Sequence, residues 1–375
     1  MSGPLAGTRV VALAGLGPVP FTSMLLADMG AHVVRISRPA NRAARGLRAT
    51  EGLRREHDVV NRGVTTVEAD LKEPSALEAV RRLLDRAHVF IEGYRPGVAE
   101  RLGLGPEDVS RRNPGIVYAR LTGYGQTGPL AGTAGHDINY VAQSGALAAM
   151  ARRGEAPRPP VNLLGDYAGG GTLAAFGIVC ALLAERDTGA GQVIDAAMVD
   201  GVALLTAKLQ GLRAAGLFRD EAGTNFVDSG APCYDTYRCS DGRYMAVGAL
   251  EEDFYHEFVS RLGVDTSGWP APDDRAKWPE LRGLIAGAFA SRPQADWVTT
   301  YRGTDACVTP VLSFDEAADE PHNRERAVFR LVDGVLHPAP APRFSRTPAR
   351  SPGPVDVHPV TVADVLAEWE PVRSN

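Results

Sequence analysis

Apolar positions fall first into short runs and later into helical stripes. Arg9-Val-Val-Ala-Leu13, Val33-Val-Arg-Ile36, Thr65 to Asp70, Val89-Phe-Ile91 and Ile116 to Leu121 each read as a strand. Between them, residues 21–29 and 77–84 carry apolar side chains at helical spacing, and Ser75 stands where a cap for the second helix is expected. Strands alternating with helices predict a parallel α/β sheet. Val193-Ile-Asp195 adds a strand, and from Met198 a helix places Leu205, Leu209 and Leu212 on one stripe, expected to be core. The pattern then switches to α+β. Two runs, 234–239 and 243–247, flank Ser240-Asp241-Gly242 as a hairpin, and helices follow at 251–262, 278–290 and 294–301. A smaller domain is therefore expected between about 230 and 320. Residues 338–354 are Pro-rich and basic, an extended segment, and 362–369 suit a last short helix.

Composition narrows the function classes. The 375 residues are 44% hydrophobic and 23% charged, which suits a folded chain of one or two domains. A net charge of −5 argues against a general nucleic-acid binder but leaves room for a local basic patch. Cys180, Cys233, Cys239 and Cys307 lack metal-ligand spacing and read as free thiols of a cytoplasmic protein. No targeting signal is visible, and the longest apolar run, 173–184, is too short for a membrane span.

The turn Gly15-Leu-Gly-Pro18 after the first strand invites a dinucleotide-binding reading. Pro20 occupies the place of the third glycine and no acidic residue closes the second strand, so an NAD site is rejected. Arg38, Lys72 and Arg95 follow successive strands, with Arg101 a little beyond. Ligands of open α/β sheets bind at strand carboxyl ends, so these cations either converge on phosphates or are scattered surface charges. Two further runs carry acid/base groups: Gly135-His-Asp-Ile-Asn-Tyr140, and Gly165-Asp-Tyr-Ala-Gly-Gly-Gly171. His136 is either a satisfied loop histidine or one half of a proton-transfer pair, and Asp166 either the other half or a helix N-cap. A buried helix is expected over 168–184 with the three glycines in its first turn, where they suggest close approach of a ligand to free backbone N–H groups.

The run Ala134 to Tyr140, with Gly165-Asp166, Gly93-Tyr-Arg-Pro-Gly97, Glu100-Arg-Leu-Gly-Leu104, Gly123 to Pro129 and Tyr244 to Glu251, resembles the α-methylacyl-CoA racemases of the family III CoA-transferase superfamily. The resemblance runs from Leu5 to about Arg346. It implies a Rossmann-like, parallel-sheet large domain of residues 1–197 with 335–375 and a helical linker of 198–230. A small α+β domain of 231–320 and a return linker of 321–334 follow, in an interlocked homodimer. It also implies His136 and Asp166 as catalytic pair, with Glu251 hydrogen-bonding the histidine. CoA contacts carried over are Arg38; Ala69, Asp70, Leu71 and Lys72; Gly93, Tyr94 and Arg95; Arg101; and Gly135, Asp137, Ile138, Asn139 and Tyr140.

Those residue types suit inversion of a stereocentre beside a thioester. One base removes the α-proton from one face and a second acid returns a proton to the other. Backbone N–H groups around Asp166 and Gly169 are the expected donors to the enolate oxygen. The substrate is an acyl-CoA thioester and no separate cofactor or metal is needed. A CoA transferase would instead use Asp166 as a nucleophile, and such enzymes generally lack the histidine. A non-catalytic acyl-CoA binder would need none of the three catalytic groups.

Overall fold

The computed structural model describes residues 3–39, 53–351 and 353–370. Two compact units form, one of Met1–Ser144, Val161–Leu205 and His322–Asn375, the other of Gly145–Pro160 and Thr206–Pro321. The first runs β1 (Arg9–Leu13), α1 (Pro18–Asp28), β2 (His32–Ser37), β3 (Val64–Glu68), α2 (Pro74–Leu84), β4 (Val89–Glu92), α3 (Val98–Arg101), α4 (Pro106–Arg112), β5 (Val117–Thr122) and α5 (Asp137–Gln143). After the excursion of Gly145–Pro160 it resumes with a π-helical segment (Leu163–Thr172), α6 (Leu173–Thr188), β6 (Val193–Ala197) and α7 (Met198–Leu205). The second unit holds α8 (Ala207–Ala214), β7 (Tyr234–Arg238), β8 (Tyr244–Gly248), α9 (Glu252–Ser260), α10 (Trp278–Phe289), α11 (Gln294–Tyr301), β9 (Val308–Pro310) and α12 (Phe314–Asp319). The chain returns to the first through α13 (Pro321–Glu325), β10 (Phe329–Val332), β11 (Val335–Pro338) and α14 (Val362–Glu368).

Six strands form one sheet in the order β3-β2-β1-β4-β5-β6, every neighbouring pair parallel. Side chains alternate between its faces. Val11, Leu13, Val34, Ile36 and Phe90 pack with α2 and α14 on one side, and Val10, Ala12, Val33, Val89 and Val117 with α1 and α6 on the other. Burial on both faces is why these strands read as continuous apolar runs. Each buried Val, Leu, Ile or Phe contributes about 1.5–3 kcal/mol, so the sheet is a rigid base for the loops at its carboxyl edge.

In the second unit β7 and β8 pair as the expected hairpin, with β9 added antiparallel to β8. Phe258, Phe289, Trp297 and Tyr301 fill its core beside Tyr237, which stacks on Phe289 at 5.3 Å. Residues 145–160, assigned to the large domain on sequence, join this unit. The Arg152 guanidinium there donates to both oxygens of buried Asp235 on β7, at 2.6 and 2.8 Å. Residues 206–230 also fall in the second unit and 322–334 in the first.

Several expectations give way. Pro74 takes the first turn of α2 with Glu73 as N-cap, so Ser75 is inside the helix and caps nothing. The Leu205, Leu209 and Leu212 stripe is not core: the helix breaks at Thr206, Leu205 is exposed, and α8 has no buried residue. The helix expected over 168–184 is an α-helix only from Leu173, and just Ala174, Ile178 and Ala181 of it are buried. With the π-helical segment it makes a continuous helical run, Leu163–Thr188, of 26 residues, long and apolar enough by length and composition to cross a membrane. Its buried glycines pack against α1 and α7.

Candidate active site

A parallel sheet presents all its carboxyl ends on one edge, and the strand order here reverses between β1 and β4, leaving a crevice between the loops that follow them. The Gly15–Gly17 turn after β1 and Gly93–Arg95 after β4 line a cavity of about 770 Å³. His136 and Asp166 line the same cavity.

His136 is the N-cap of α5, in extended conformation with φ −129°, and its side chain is exposed. The Asn139 side chain reaches back and accepts the His136 N–H at 3.0 Å. Tyr140, one turn on, donates its hydroxyl to the Gly135 carbonyl and meets Tyr124 edge-on at 5.0 Å. Burial pushes the Tyr140 phenol up to about 12, which keeps it a donor at neutral pH.

Asp166 sits in the first turn of the π-helical segment, whose N-cap is Asn162, so Asp166 is not itself a cap. Its carboxylate accepts from Asn162 Nδ2 at 3.1 Å. It packs against Gly17, which has φ +59°, and a Cβ there would stand 2.7 Å from the carboxylate carbon. Tyr167 rests on Phe21 of α1 with ring centroids 4.7 Å apart. Burial pushes the Asp166 carboxyl above its usual range and the Asp137 charge adds to the effect, while the Asn162 hydrogen bond and His136 oppose it.

The donors expected for an oxyanion are already committed. Asp166 N–H donates to Asp137 Oδ1 at 2.7 Å. Gly169 lies well inside the π-helix, where N–H groups bond to carbonyls five residues back. Nor do the three glycines face a ligand. A Cβ on Gly169 would meet the Val202 backbone nitrogen at 2.8 Å, one on Gly170 Met198 Cγ at 2.9 Å, and one on Gly171 the Phe21 ring at 2.7 Å. The glycines let α7 and α1 pack on the segment that carries Asp166.

Of the residues carried over as CoA contacts, Gly93, Tyr94, Arg95, Gly135 and Tyr140 line the cavity. Burial raises the proton affinity of the Tyr94 phenol, and Arg38, exposed just past β2, opposes that rise. Ala69 is buried after β3, Leu71 packs on the sheet core, and the Asp70 carboxylate accepts the Lys72 N–H at 3.1 Å. Lys72 and Arg101 are exposed. Ile138 and Asn139 are exposed on α5, whereas the Asp137 side chain is only 5% exposed. Glu251 belongs to the second unit, exposed as the N-cap of α9.

Arg35 and Asn162, neither of them a candidate from the sequence, also line the cavity. Arg35 stands mid-strand between Ala12 and Thr66 and donates to Thr66 Oγ1 at 3.3 Å. Its Nε is buried without a hydrogen-bond partner among the described residues. A lone cation within the run Val33 to Ile36 was the available signal, because charged side chains are rarely placed inside strands without a use. Among the described residues, no three His, Cys, Asp or Glu side chains are grouped to hold a metal ion.

Known proteins of the same build fall in line with this architecture. Over 347 residues the chain is 46% identical to the mouse protein named alpha-methylacyl-CoA racemase, covering 92% of this chain and 87% of that one. The human protein of the same name is 44% identical over 348 residues, with the same coverage. The crystal structure of a CAIB/BAIF family protein from Brucella suis matches 99% of this chain and 100% of its own with a TM-score of 0.79 at 24% identity, which supports the fold. The family model of CoA-transferase family III spans residues 5–358, and the chain belongs to that family.

Proposed function

We propose that this chain interconverts (2R)- and (2S)-2-methylacyl-CoA thioesters, with His136 and Asp166 as the two acid/bases. The observation that carries the reading is that these two residues, far apart in sequence, line one cavity at the carboxyl edge of the sheet in a chain 44–46% identical to two proteins named racemases. A base must take the α-proton and an acid must deliver another to the opposite face. Burial brings the Asp166 carboxyl closer to neutrality, where it holds and releases a proton more readily than an ordinary surface aspartate. The thioester carbonyl draws charge as the proton leaves. Donors for that oxygen come from the cavity's other backbone, the turns after β1 and β4 and the start of α5, since Asp166 N–H is occupied.

Exposed Arg38, Lys72, Arg95 and Arg101 suit the phosphates of CoA, with the pantetheine leading inward past Tyr94. Glu251 is assigned to orient His136, and CoA serves as part of the substrate with no further cofactor. A homodimer is part of this reading. The apolar side chains Phe176 on α6 and Leu204 on α7 are 66% and 61% exposed in the single chain, and a second copy covers them. Light scattering is expected to give twice the chain mass, and a stable, active monomer would contradict it.

Incubating the protein with one enantiomer of a 2-methylacyl-CoA in deuterated water, without acceptor acid, tests the reaction. Uptake of α-deuterium together with loss of enantiomeric purity is the expected result. No uptake, with CoA instead appearing on an added free acid, would make Asp166 a nucleophile and the chain a transferase.

A further inference from the structure

His136 and its neighbour Asp137 part company at the start of α5. His136 is exposed at the cavity, while the Asp137 side chain turns inward and is 5% exposed. Its Oδ1 takes the N–H of Asp166 at 2.7 Å, across 29 positions of sequence. Gly165 makes room for this bond, because a Cβ there would stand 2.6 Å from the same oxygen. The other oxygen, Oδ2, is buried with no hydrogen-bond partner among the described residues. A carboxylate taken out of water with half of its acceptor capacity unused costs stability rather than adding to it, and a neutral side chain of the same shape would hold the N–H as well. The charge therefore asks for a purpose other than folding.

We propose that Asp137 is a positioning residue for Asp166, clamping the main chain that carries one acid/base to the turn that carries the other. Asp137 is covalently joined to His136 and hydrogen-bonded to Asp166, so it sets the separation of the two groups directly. Two bases that must address opposite faces of one carbon tolerate little error in that separation. The assignment rests on the racemase reading above.

The charge has a second effect. Asp137 raises the proton affinity of Asp166, in the same sense as burial, and His136 and the Asn162 amide oppose it. Among the described residues Tyr140 also interacts electrostatically with Asp166 and is itself under the influence of Arg95; Gly17, on the turn before α1, carries no charge.

The test compares Asp137→Asn, which keeps an acceptor oxygen and loses the charge, with Asp137→Ala, which loses both. Each protein is given each pure enantiomer in deuterated water across a range of pH, and initial α-deuterium uptake is measured beside binding of the thioester. In Asp137→Ala, uptake from the enantiomer presented to Asp166 should fall about 100-fold, while uptake from the one presented to His136 falls far less. In Asp137→Asn, the limb of the profile where Asp166 must be ionised should move to lower pH, because a like charge has gone. Equal losses from both enantiomers, with an unmoved limb, would overturn the assignment. If Asp137→Ala does not fold, the limb of Asp137→Asn decides alone. A wild-type protein that exchanges neither enantiomer defeats the racemase reading itself, and that control separates the two failures.

Discussion

His136 stands exposed at the cap of a seven-residue helix, its main chain held by Asn139, whereas Asp166 is half-buried in a π-helical turn and touched by Asn162, Gly17 and Asp137. One group is left near solvent and the other is desolvated and gripped. The difference teaches how two side chains lining one cavity are given unlike surroundings. Burial, with the nearby Asp137 charge adding to it, raises the proton affinity of Asp166, the direction the proposed acid/base role asks for. Packing follows the same division: α1 and α7 press on the segment that carries Asp166, while the His136 main chain is held by Asn139 in the first turn of α5.

Breaking either side outright has the largest expected effect. His136→Asn and Asp166→Asn should each cut racemisation by about 10²- to 10⁴-fold with thioester binding largely kept, as measured by enantiomer ratio and a binding titration. Gly17→Ala disturbs the gripped side alone. The new methyl group meets the Asp166 carboxylate and the left-handed backbone at φ +59° is costly for alanine, so kcat should fall by about tenfold or more, with the melting temperature lowered. Asn162→Leu is the smallest change and sharpens the comparison. Asn162 donates to the ionised carboxylate and so favours it; without that bond the Asp166 pKa rises further. The rate should drop only a few-fold, on the acid side of the profile, and recover as pH rises past the shifted limb. A loss that is uniform in pH would mean Asn162 acts through structure instead.

Much of this was legible from the chain. Strands β1, β2, β4 and β5 declared themselves as apolar runs because both faces of the sheet are covered there, and Ser240-Asp241-Gly242 marked a hairpin because few other sequences turn so tightly. His136 and Asp166 could be named as candidates from their glycine-rich settings. The setting itself was misread: Gly169, Gly170 and Gly171 signal close approach, but only the fold reveals that a helix approaches and not a ligand. A π-helical turn has no residue preference to betray it, so Asp166 looked like a cap. The inward turn of Asp137 was invisible for a related reason, because nothing in the string His136-Asp137 says which side chain faces the core. The exposed faces of α6, α7 and α8 misled in the other direction, since an apolar stripe records burial without recording against what.

The proposed reaction needs two unlike bases acting from opposite faces of one carbon. The most direct measurement is α-deuterium exchange by His136→Asn and Asp166→Asn, each given the two pure enantiomers separately. Each variant should exchange one enantiomer without inverting it, and the two should choose opposite enantiomers. Exchange of the same enantiomer by both variants, or inversion in either at close to the wild-type rate, would contradict the account.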